Sequence, residues 1–305
     1  MKLLINIALL TGACTAFNAQ AAPLADWMNT VSDDTQLTAM TIPGTHDSGA
    51  THEPLPGIAK TQNTTIAQQL DNGVRYLDIR LRHYQDSLLV HHGSIYQHLN
   101  FDDVMQQVTD FLNLHPSETV LMQVKEEYDA TGNTHSFEQT FVDYKNRPAY
   151  RNFWWGHSYL PTMGQARGKI VLLRRFAGSF YTSGGIDMTY WEDNTSFNTQ
   201  ESKGVKIHVQ DSYKVKSSTN NNKWSVIKQN LDNAAQSPGV LTLNFSSGYS
   251  PTLGIPNIPK VSNDINQRLL NYFNERKGQK QSHGVIISDF SSAALSQAEL
   301  KAYLP

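Results

Sequence analysis

The stretch RYLDIRL, residues 75–81, sets the pattern from which the fold is predicted. Tyr, Leu and Ile give it the character of a buried strand, and Asp78 and Arg80 stand near its end. Further short runs share this character, and most are uninterrupted, which is typical of strands buried on both faces of a parallel sheet. These runs are residues 38–42, 88–91, 120–124, 170–173, 206–209, 241–245 and 285–288.

Between several of these runs lie amphipathic stretches that predict helices. Apolar residues at spacings of three and four mark residues 101–113, and less cleanly 136–145, 223–235 and 263–276. Alternation of strand and helix over about 280 residues predicts an α/β protein with a single distorted (β/α)8 barrel of the TIM type.

Two places are expected to break the regular barrel. Too few residues separate positions 81 and 88 for a parallel crossover, so residues 88–91 are predicted to form a hairpin partner or side strand. Residues 177–204 are rich in Gly, Ser, Thr and aromatic residues without helical periodicity, and one outer helix is expected to be missing there.

The bulk composition is that of an ordinary globular protein. The 305 residues are 39% hydrophobic and 17% charged, with a formal net charge of −2. A nucleic-acid-binding protein would be expected to carry a basic surface, so this charge argues against that class of partner.

The first 21 residues predict a secretory signal peptide. Lys2 precedes the apolar run 3–10, and Ala19-Gln20-Ala21 forms a small-x-small cleavage site. The apolar run is well short of the roughly 20 residues needed to span a bilayer, so a transmembrane anchor is disfavoured. Residues 22–305 are then the mature domain, in a secreted or periplasmic protein.

The single cysteine of the chain, Cys14, lies within this leader. Export without disulfide bonds is therefore expected. Residues 10–14 resemble a lipobox, although Thr11 stands where that motif usually has an aliphatic residue. A form anchored to a membrane by acyl chains on Cys14 is the alternative.

Polar and charged side chains follow nearly every apolar run. In a (β/α) barrel the carboxyl ends of the strands meet at one mouth, where active sites are built. A single polar residue where a strand leaves the core is common. So many charged and polar side chains are more than the ends of barrel strands require for capping. The set is His46, Asp47, Asp78, Arg80, His91, His92, Lys125, Glu126, Glu127, Arg174, Arg175, Gln210, Asp211, Ser212, Tyr213, Asn244 and Asp289.

Two imidazoles and two guanidinium groups in this set indicate phosphoryl transfer. His46 and either His91 or His92 suit a base and an acid near neutral pH. Arg80 and Arg175 suit an oxyanion such as phosphate, which a guanidinium binds through paired hydrogen bonds. Positioning and charge neutralisation supply most of the catalysis in such reactions.

Two other kinds of site fit these residues less well. His and Asp also bind zinc or magnesium, but Arg80 lies two residues beyond Asp78 on the same face of its strand, where its charge would repel a metal ion. Ser48 could be imagined as a nucleophile, but its surroundings lack the Gly-x-Ser-x-Gly turn, and a loop-stabilising hydroxyl is the preferred interpretation.

The residues in these strand ends closely resemble, as an ordered set, the X domain of bacterial phosphatidylinositol-specific phospholipase C. The resemblance spans roughly residues 35 to 290. The matching segments are IPGTHDSG at 42–49, GVRYLDIR at 73–80, LVHHG at 89–93, PSETV at 116–120, KEEY at 125–128, GKIVLLRR at 168–175, VQDSY at 209–213 and ISDF at 287–290.

The resemblance implies a distorted (β/α) barrel that cleaves phosphatidylinositol to diacylglycerol and a cyclic inositol phosphate. His46 then resembles the general base for the inositol 2-hydroxyl, with Asp289 as its partner. Arg80 would contact the phosphate, in the place where eukaryotic relatives use calcium, so no metal or cofactor is expected.

The general acid is assigned to His92, with Asp47 as its partner. His92 is preferred to His91 because the family places its acid directly before a glycine, here Gly93. The residues that resemble the inositol-binding set are Lys125, Arg175, Asp211 and Tyr213.

The expected partner is phosphatidylinositol, or a glycosyl-phosphatidylinositol lipid, at a membrane surface, with the protein acting as a monomer. Residues 51–60 lack the tryptophan that familiar secreted members carry after the His-Asp motif. The apolar loop 249–259 is either the membrane-facing rim or a loop packed on the barrel. Trp191 is interpreted as core or loop packing.

Two alternatives to a phosphatidylinositol phospholipase C stay open. One is a related phosphodiesterase that acts on glycosyl-phosphatidylinositol anchors. The other is a barrel that binds inositol phosphates or lipids without catalysis, although that class would be expected to have lost one imidazole.

Overall fold

The computed structural model describes residues 23–199, 204–216 and 219–304. The predicted signal peptide and Cys14 lie outside these residues, so the leader, the start of the mature domain and the secreted or lipid-anchored location stay predictions. No helix within the described ranges is both long and apolar enough to cross a bilayer.

Strands and helices alternate along the chain as the sequence predicts. The strands are β1 (Thr41–Thr45), β2 (Tyr76–Tyr84), β3 (Ser87–His92), β4 (Ile95–Asn100), β5 (Val120–Thr131), β6 (Ile170–Arg175), β7 (Ile186–Asp187), β8 (Ser196–Asn198), β9 (Ile207–Gln210), β10 (Leu241–Phe245) and β11 (Gly284–Ser288). The helices are α1 (Ile66–Asp71), α2 (Phe101–Leu114), α3 (Phe137–Lys145), α4 (Met163–Ala166), α5 (Asn221–Gln236), α6 (Pro259–Asn274) and α7 (Ala293–Tyr303).

The strands form one curled sheet in the order β7-β6-β5-β2-β1-β11-β10-β9-β8. Neighbours from β7 to β9 run parallel, and β8 is antiparallel to β9. In the described part of the chain β7 and β8 end this order, so the barrel is open between them. The predicted distorted TIM-type barrel is confirmed.

Both expected irregularities are present. β3 pairs antiparallel with β2, with Leu81 opposite Val90, and so forms the predicted hairpin. β4 extends this hairpin and was not predicted. The described residues between β6 and β9 include two short strands and no helix, in agreement with the missing outer helix.

The predicted bounds of the first strand were wrong by three residues. The strand was placed at 38–42, but Leu37–Ala39 form a turn of 3-10 helix and β1 begins at Thr41. The shift carries the strand through Pro43 and Gly44, where β2 and β11 approach closely: a Cβ on Gly44 would lie 3.0 Å from the carbonyl oxygen of Ile286. Strand pairing outweighs the poor strand propensity of Pro and Gly here.

Side chains alternate between the two faces of each strand, and this alternation positions the site. On β2, Leu77 and Ile79 pack outward against α2, whereas Tyr76 belongs to the interior core with Ile42 and Leu121. Because alternate residues share a face, Asp78 and Arg80 continue the inward row of Tyr76 towards the carboxyl end. The inward face of β2 therefore changes from apolar to charged along the strand.

A buried ion pair lies at the opposite end of the barrel, where Arg75 precedes β2 and Glu118 precedes β5. Arg75 and Glu118 have no exposed side-chain surface, and Arg75 Nη2 lies 2.8 Å from Glu118 Oε2. The guanidinium also donates to the carbonyl oxygens of Leu70 and Ala25, which ties the N-terminal segment to the barrel.

Replacing Arg75 with methionine should lower the free energy of unfolding by about 3–5 kcal/mol, because Glu118 would be left as a buried charge without its cation. Urea denaturation measures this change. The matched control is Arg268→Met, which removes the partly exposed pair with Asp264 on α6 and should cost no more than about 1 kcal/mol. Equal losses in the two variants would contradict the role given to Arg75.

Candidate active site

A cavity of about 340 Å³ opens at the carboxyl ends of the parallel strands. Its walls carry most of the side chains that the sequence picked out. The lining residues are His46, Arg80, His92, Gly93, Lys125, Glu127, Arg175, Trp191, Asp193, Asp211, Tyr213, Gly248, Tyr249, Ile258 and Asp289. Of the nine predicted site residues, Asp47 alone is absent from this wall.

His46 follows β1 and is oriented by Asp289, which follows β11. Its Nδ1 lies 2.7 Å from Asp289 Oδ1, and the second carboxylate oxygen accepts a hydrogen bond from the Gly248 amide at 3.1 Å. In the neutral tautomer that donates from Nδ1 to Asp289, Nε2 carries no proton and can accept one. This is the arrangement of a general base.

His92 ends β3 on the other side of the same cavity. Its ring centroid lies 6.4 Å from that of His46, and the two rings are nearly perpendicular at 89°. His91 points away from the cavity, is buried, and stacks on Tyr128. Of the two neighbouring histidines, His92 lines the cavity and His91 does not.

The hydrogen-bond partner of His92 differs from the expected one. Its Nδ1 donates to the carbonyl oxygen of Ala59, at 2.5 Å, whereas the nearest carboxylate oxygen of Asp47 lies 3.7 Å away. Glu53 holds the Ala59 loop in place, since its Oε2 accepts from the amides of Gly57 and Lys60. A main-chain carbonyl, rather than Asp47, thus orients this ring.

Asp47 lies beneath the site instead of in its wall. It is fully buried with φ at +38°, and its amide donates to Asp78. Neither of its carboxylate oxygens accepts a hydrogen bond from any described group. Burial raises the pKa of Asp47 well above its usual value, against the attraction of Arg80.

Arg80 is fixed by two carboxylates. Its Nε and Nη2 lie 3.0 and 2.9 Å from Asp78 Oδ2, and Nη1 lies 3.6 Å from Glu127 Oε1. Burial opposes the charge on Asp78, but Arg80 and several hydrogen bonds hold the pKa of that carboxyl well below its usual range. The guanidinium is therefore a permanent cation in the cavity wall.

Lys125 and Glu127 extend β5 beyond the barrel and form an ion pair. Glu127 also accepts from the Gly93 amide at 3.1 Å, so it links β5 to the residue after His92. Burial opposes ionisation of Glu127, but Arg80 and Lys125 lower its pKa to about 2. Two cations and this carboxylate thus share one side of the cavity.

The far side of the cavity is built around Trp191. The guanidinium of Arg175 lies 3.5 Å from the centre of the Trp191 ring, and the indole N–H donates to Asp211 at 3.0 Å. Tyr213 donates to Asp193 at 2.7 Å. Burial and the nearby Arg80 lower the pKa of Arg175 to about 10, and this group remains protonated near neutral pH.

Within the described ranges, no group of three or more His, Cys, Asp and Glu side chains is placed to hold a metal ion. The two carboxylates Asp78 and Glu127 form ion pairs with Arg80.

Residues 37–176 match the family model described as "Phosphatidylinositol-specific phospholipase C, X domain". This segment, somewhat less than half of the chain, is similar to the X domain of that family. Outside that segment, Asp211 and Tyr213 follow β9 and Asp289 follows β11, so the matched segment alone does not complete the cavity.

Relatives and solved structures point to the same similarity. The 1-phosphatidylinositol phosphodiesterase of Staphylococcus aureus (strain Newman) is 38% identical over 200 residues, which cover 62% of this chain and 64% of that protein. The matched region therefore spans less than two thirds of the length of this relative.

The structural likeness extends further along the chain. The structure of a double mutant of the phosphatidylinositol-specific phospholipase C from S. aureus aligns with a TM-score of 0.82 and 29% identity, covering 92% of this chain and 97% of that one. A second structure of that enzyme comes from work on the modulation of its membrane binding. It aligns with a TM-score of 0.79 and 27% identity, covering 92% of this chain and 98% of that one.

Sequence reasoning missed Trp191 and Asp193 in the cavity wall, and it named Glu127 among the strand-end residues without assigning it a role. Glu127 carried a usable signal, because it lies two positions beyond Lys125 and so shares its face of β5. Trp191 and Asp193 lie in the stretch without helical periodicity, and no strand-end position marked them. The interpretation of Trp191 as core or loop packing was incomplete, since its ring both packs on Phe197 and lines the cavity.

The imidazole of His92 should titrate below its ordinary value of about 6.5, because burial and the charge of Arg80 lower the pKa of His92 more than the Ala59 carbonyl raises it. Raising the pH through the lowered pKa then deprotonates His92 while an ordinary histidine would still be partly charged. NMR of the histidine Cε1–H groups measures the midpoint, and His92→Ala identifies the resonance. A midpoint above about 6.5 in the ligand-free protein would contradict this account.

Proposed function

We propose that this protein is a metal-independent phosphatidylinositol phosphodiesterase that releases diacylglycerol and inositol 1,2-cyclic phosphate. The observation that carries the proposal is the pair of rings, His46 and His92, 6.4 Å apart on one cavity that Arg80 also lines. The X-domain match and the naming of the S. aureus relative as a 1-phosphatidylinositol phosphodiesterase support it.

The first step is an intramolecular transfer. His46 Nε2 takes the proton of the inositol 2-hydroxyl, and the 2-oxygen forms a bond to phosphorus. Because the nucleophile belongs to the substrate, holding it beside phosphorus replaces a bimolecular encounter. The imidazolium that forms is stabilised by Asp289 at 2.7 Å.

The leaving group departs from the opposite side. The bond between phosphorus and the glycerol oxygen breaks, and the electron pair of that bond stays on the oxygen. His92 gives its Nε2 proton to this oxygen, while its Nδ1 remains bonded to Ala59. A later proton transfer from His46 to His92 restores the starting state.

Arg80 and Lys125 supply positive charge where the phosphodiester lies. A phosphoryl-transfer transition state spreads negative charge over the non-bridging oxygens, and fixed cations lower its free energy without reorganising. The contacts of Arg80 with Asp78 and Glu127 fix the guanidinium before the substrate binds.

The inositol ring is assigned to the end of the cavity formed by Arg175, Asp211 and Tyr213. Guanidinium and carboxylate groups pair with ring hydroxyls, and the tyrosine ring offers an apolar face. Trp191 aligns Arg175 and Asp211 with each other, since it contacts both.

Two apolar loops beside the cavity mouth, residues 51–60 and 249–259, are assigned the contact with the membrane. Leu55 is 62% exposed, and Leu253 and Ile255 are 99% and 55% exposed. The loops are joined by the hydrogen bond from the Ile258 amide to the Gly57 carbonyl at 3.0 Å, and Ile258 itself lines the cavity. Exposed apolar side chains of this kind enter lipid interfaces. Loop 249–259 is thereby proposed as the rim that meets lipid.

Purified protein in EDTA should convert phosphatidylinositol to cyclic inositol phosphate, which ³¹P NMR detects. His46→Ala and His92→Ala should each lower kcat by roughly 10²–10⁴-fold, the usual contribution of a general base or acid. The control is His157→Ala, an exposed imidazole outside the cavity, which should keep full activity. Activity that appears only when calcium is added would refute metal independence, and full turnover by His46→Ala would refute the assignment of the base.

The double variant Leu253→Ser, Ile255→Ser should bind phosphatidylinositol vesicles at least about tenfold more weakly, because burying each such side chain contributes on the order of 1.5–3 kcal/mol. Vesicle sedimentation measures binding. Turnover of a water-soluble inositol phosphodiester should not change. Leu114→Ser is the matched control, since Leu114 is 77% exposed at the end of α2 and belongs to neither loop. Equal loss of vesicle binding in the control would contradict the assignment.

A further inference from the structure

Lys223 lies in the first turn of α5 with its side chain buried beneath the cavity wall. Its Nζ donates to the carbonyl oxygen of Phe245, at 2.5 Å, and to Gln210 Oε1 at 3.4 Å. Both acceptors are neutral, and each stands at the carboxyl end of its strand. The ammonium therefore contacts the ends of β9 and β10 together.

Gln210 also links these two strands by hydrogen bonds, and we call the linked side chains of Lys223 and Gln210 the brace. Its Nε2 donates to Asn244 Oδ1 and to the Phe245 carbonyl, each at 2.9 Å, and its Oε1 accepts from the Ser212 amide at 2.7 Å. The Phe245 carbonyl thus receives two donors. The chain directly after β9 is tied to the same side chain that Lys223 contacts.

This brace supports two parts of the cavity. Asp211 and Tyr213 follow Gln210 along the chain and line the proposed inositol end. The Phe245 ring lies edge-on to His46 at 6.2 Å and to Trp191 at 5.7 Å. A shift of the β9 and β10 ends would move Asp211, Tyr213 and Trp191 relative to one another.

Stability alone does not account for a cation in this place. Burial lowers the pKa of Lys223 to about 8, against the attraction of Asp211 and Asp289, which are the charged groups that face it. A buried ammonium that contacts neutral oxygens loses hydration, and an apolar residue of similar volume often serves stability equally well or better. Removing the amine would also leave the Phe245 carbonyl with its bond from Gln210.

We propose that Lys223 is a positioning residue for inositol recognition, holding the ends of β9 and β10 so that Asp211 and Tyr213 meet the ring. The proposal rests on the function assigned above, because it concerns the same cavity. Lys223 contacts no substrate itself, since it is absent from the cavity lining and acts through Gln210 and Phe245.

The test compares the wild type with Lys223→Met and with Lys228→Met, a control on the exposed face of the same helix that removes an i,i+4 pair with Asp232. Calorimetric titration with myo-inositol near pH 6.5 should give a Kd about tenfold higher for Lys223→Met and unchanged for Lys228→Met. Lys223→Gln replaces the methionine variant if that variant does not fold.

Hydrogen exchange at the Ser212 amide supplies a readout that needs no ligand. The amide should exchange faster in Lys223→Met than in the wild type, because its acceptor Gln210 has lost a partner. Equal affinities for myo-inositol in the wild type and Lys223→Met overturn the proposal. Should the wild type itself not bind myo-inositol, the assigned inositol end fails, and the exchange rate of Ser212 alone then decides whether Lys223 positions this segment.

Discussion

Asp78 is the point at which three parts of the site are joined. One of its oxygens accepts from Arg80 and from the Asp47 amide, the other accepts from Gln123 on β5, and its own amide and carbonyl bond to Ser48. A buried carboxylate is costly unless it is fully bonded, and here each donor belongs to a functional segment. The position of the guanidinium, the turn after β1 and the inward face of β5 are therefore fixed by one charge.

The alternation of side chains along parallel strands explains how much of the site was predictable. Arg175, Asp211 and Asp289 each occupy the inward position next after an apolar residue of the interior core, whereas Arg80 and Lys125 follow the inward polar residues Asp78 and Gln123. Period two and a common strand direction are properties of the sequence pattern, so the convergence of these side chains followed once the barrel was predicted. The resemblance to the X domain then assigned their roles, which stay predictions.

What escaped prediction depends on contacts that no local pattern encodes. The partner of His92 is the carbonyl of Ala59, a group that every residue possesses, so no side chain could signal it. Trp191 and Asp193 reach the cavity from the stretch between β7 and β8, whose path is set by tertiary packing. The start of β1 was misplaced because pairing with β2 and β11 overrides the local preference of Pro43 and Gly44.

The two imidazoles differ in how their orientation is encoded. His46 depends on a carboxylate that a single change from Asp to Asn at position 289 would neutralise. His92 depends on a peptide carbonyl, which no substitution at position 59 can delete, although the loop that presents it is secured by Glu53. A mutation can therefore remove the hydrogen-bond partner of His46 outright. For His92, a mutation can only displace the backbone that carries the partner carbonyl. Substitutions are therefore expected to have unequal effects on the two imidazole sides of the cavity.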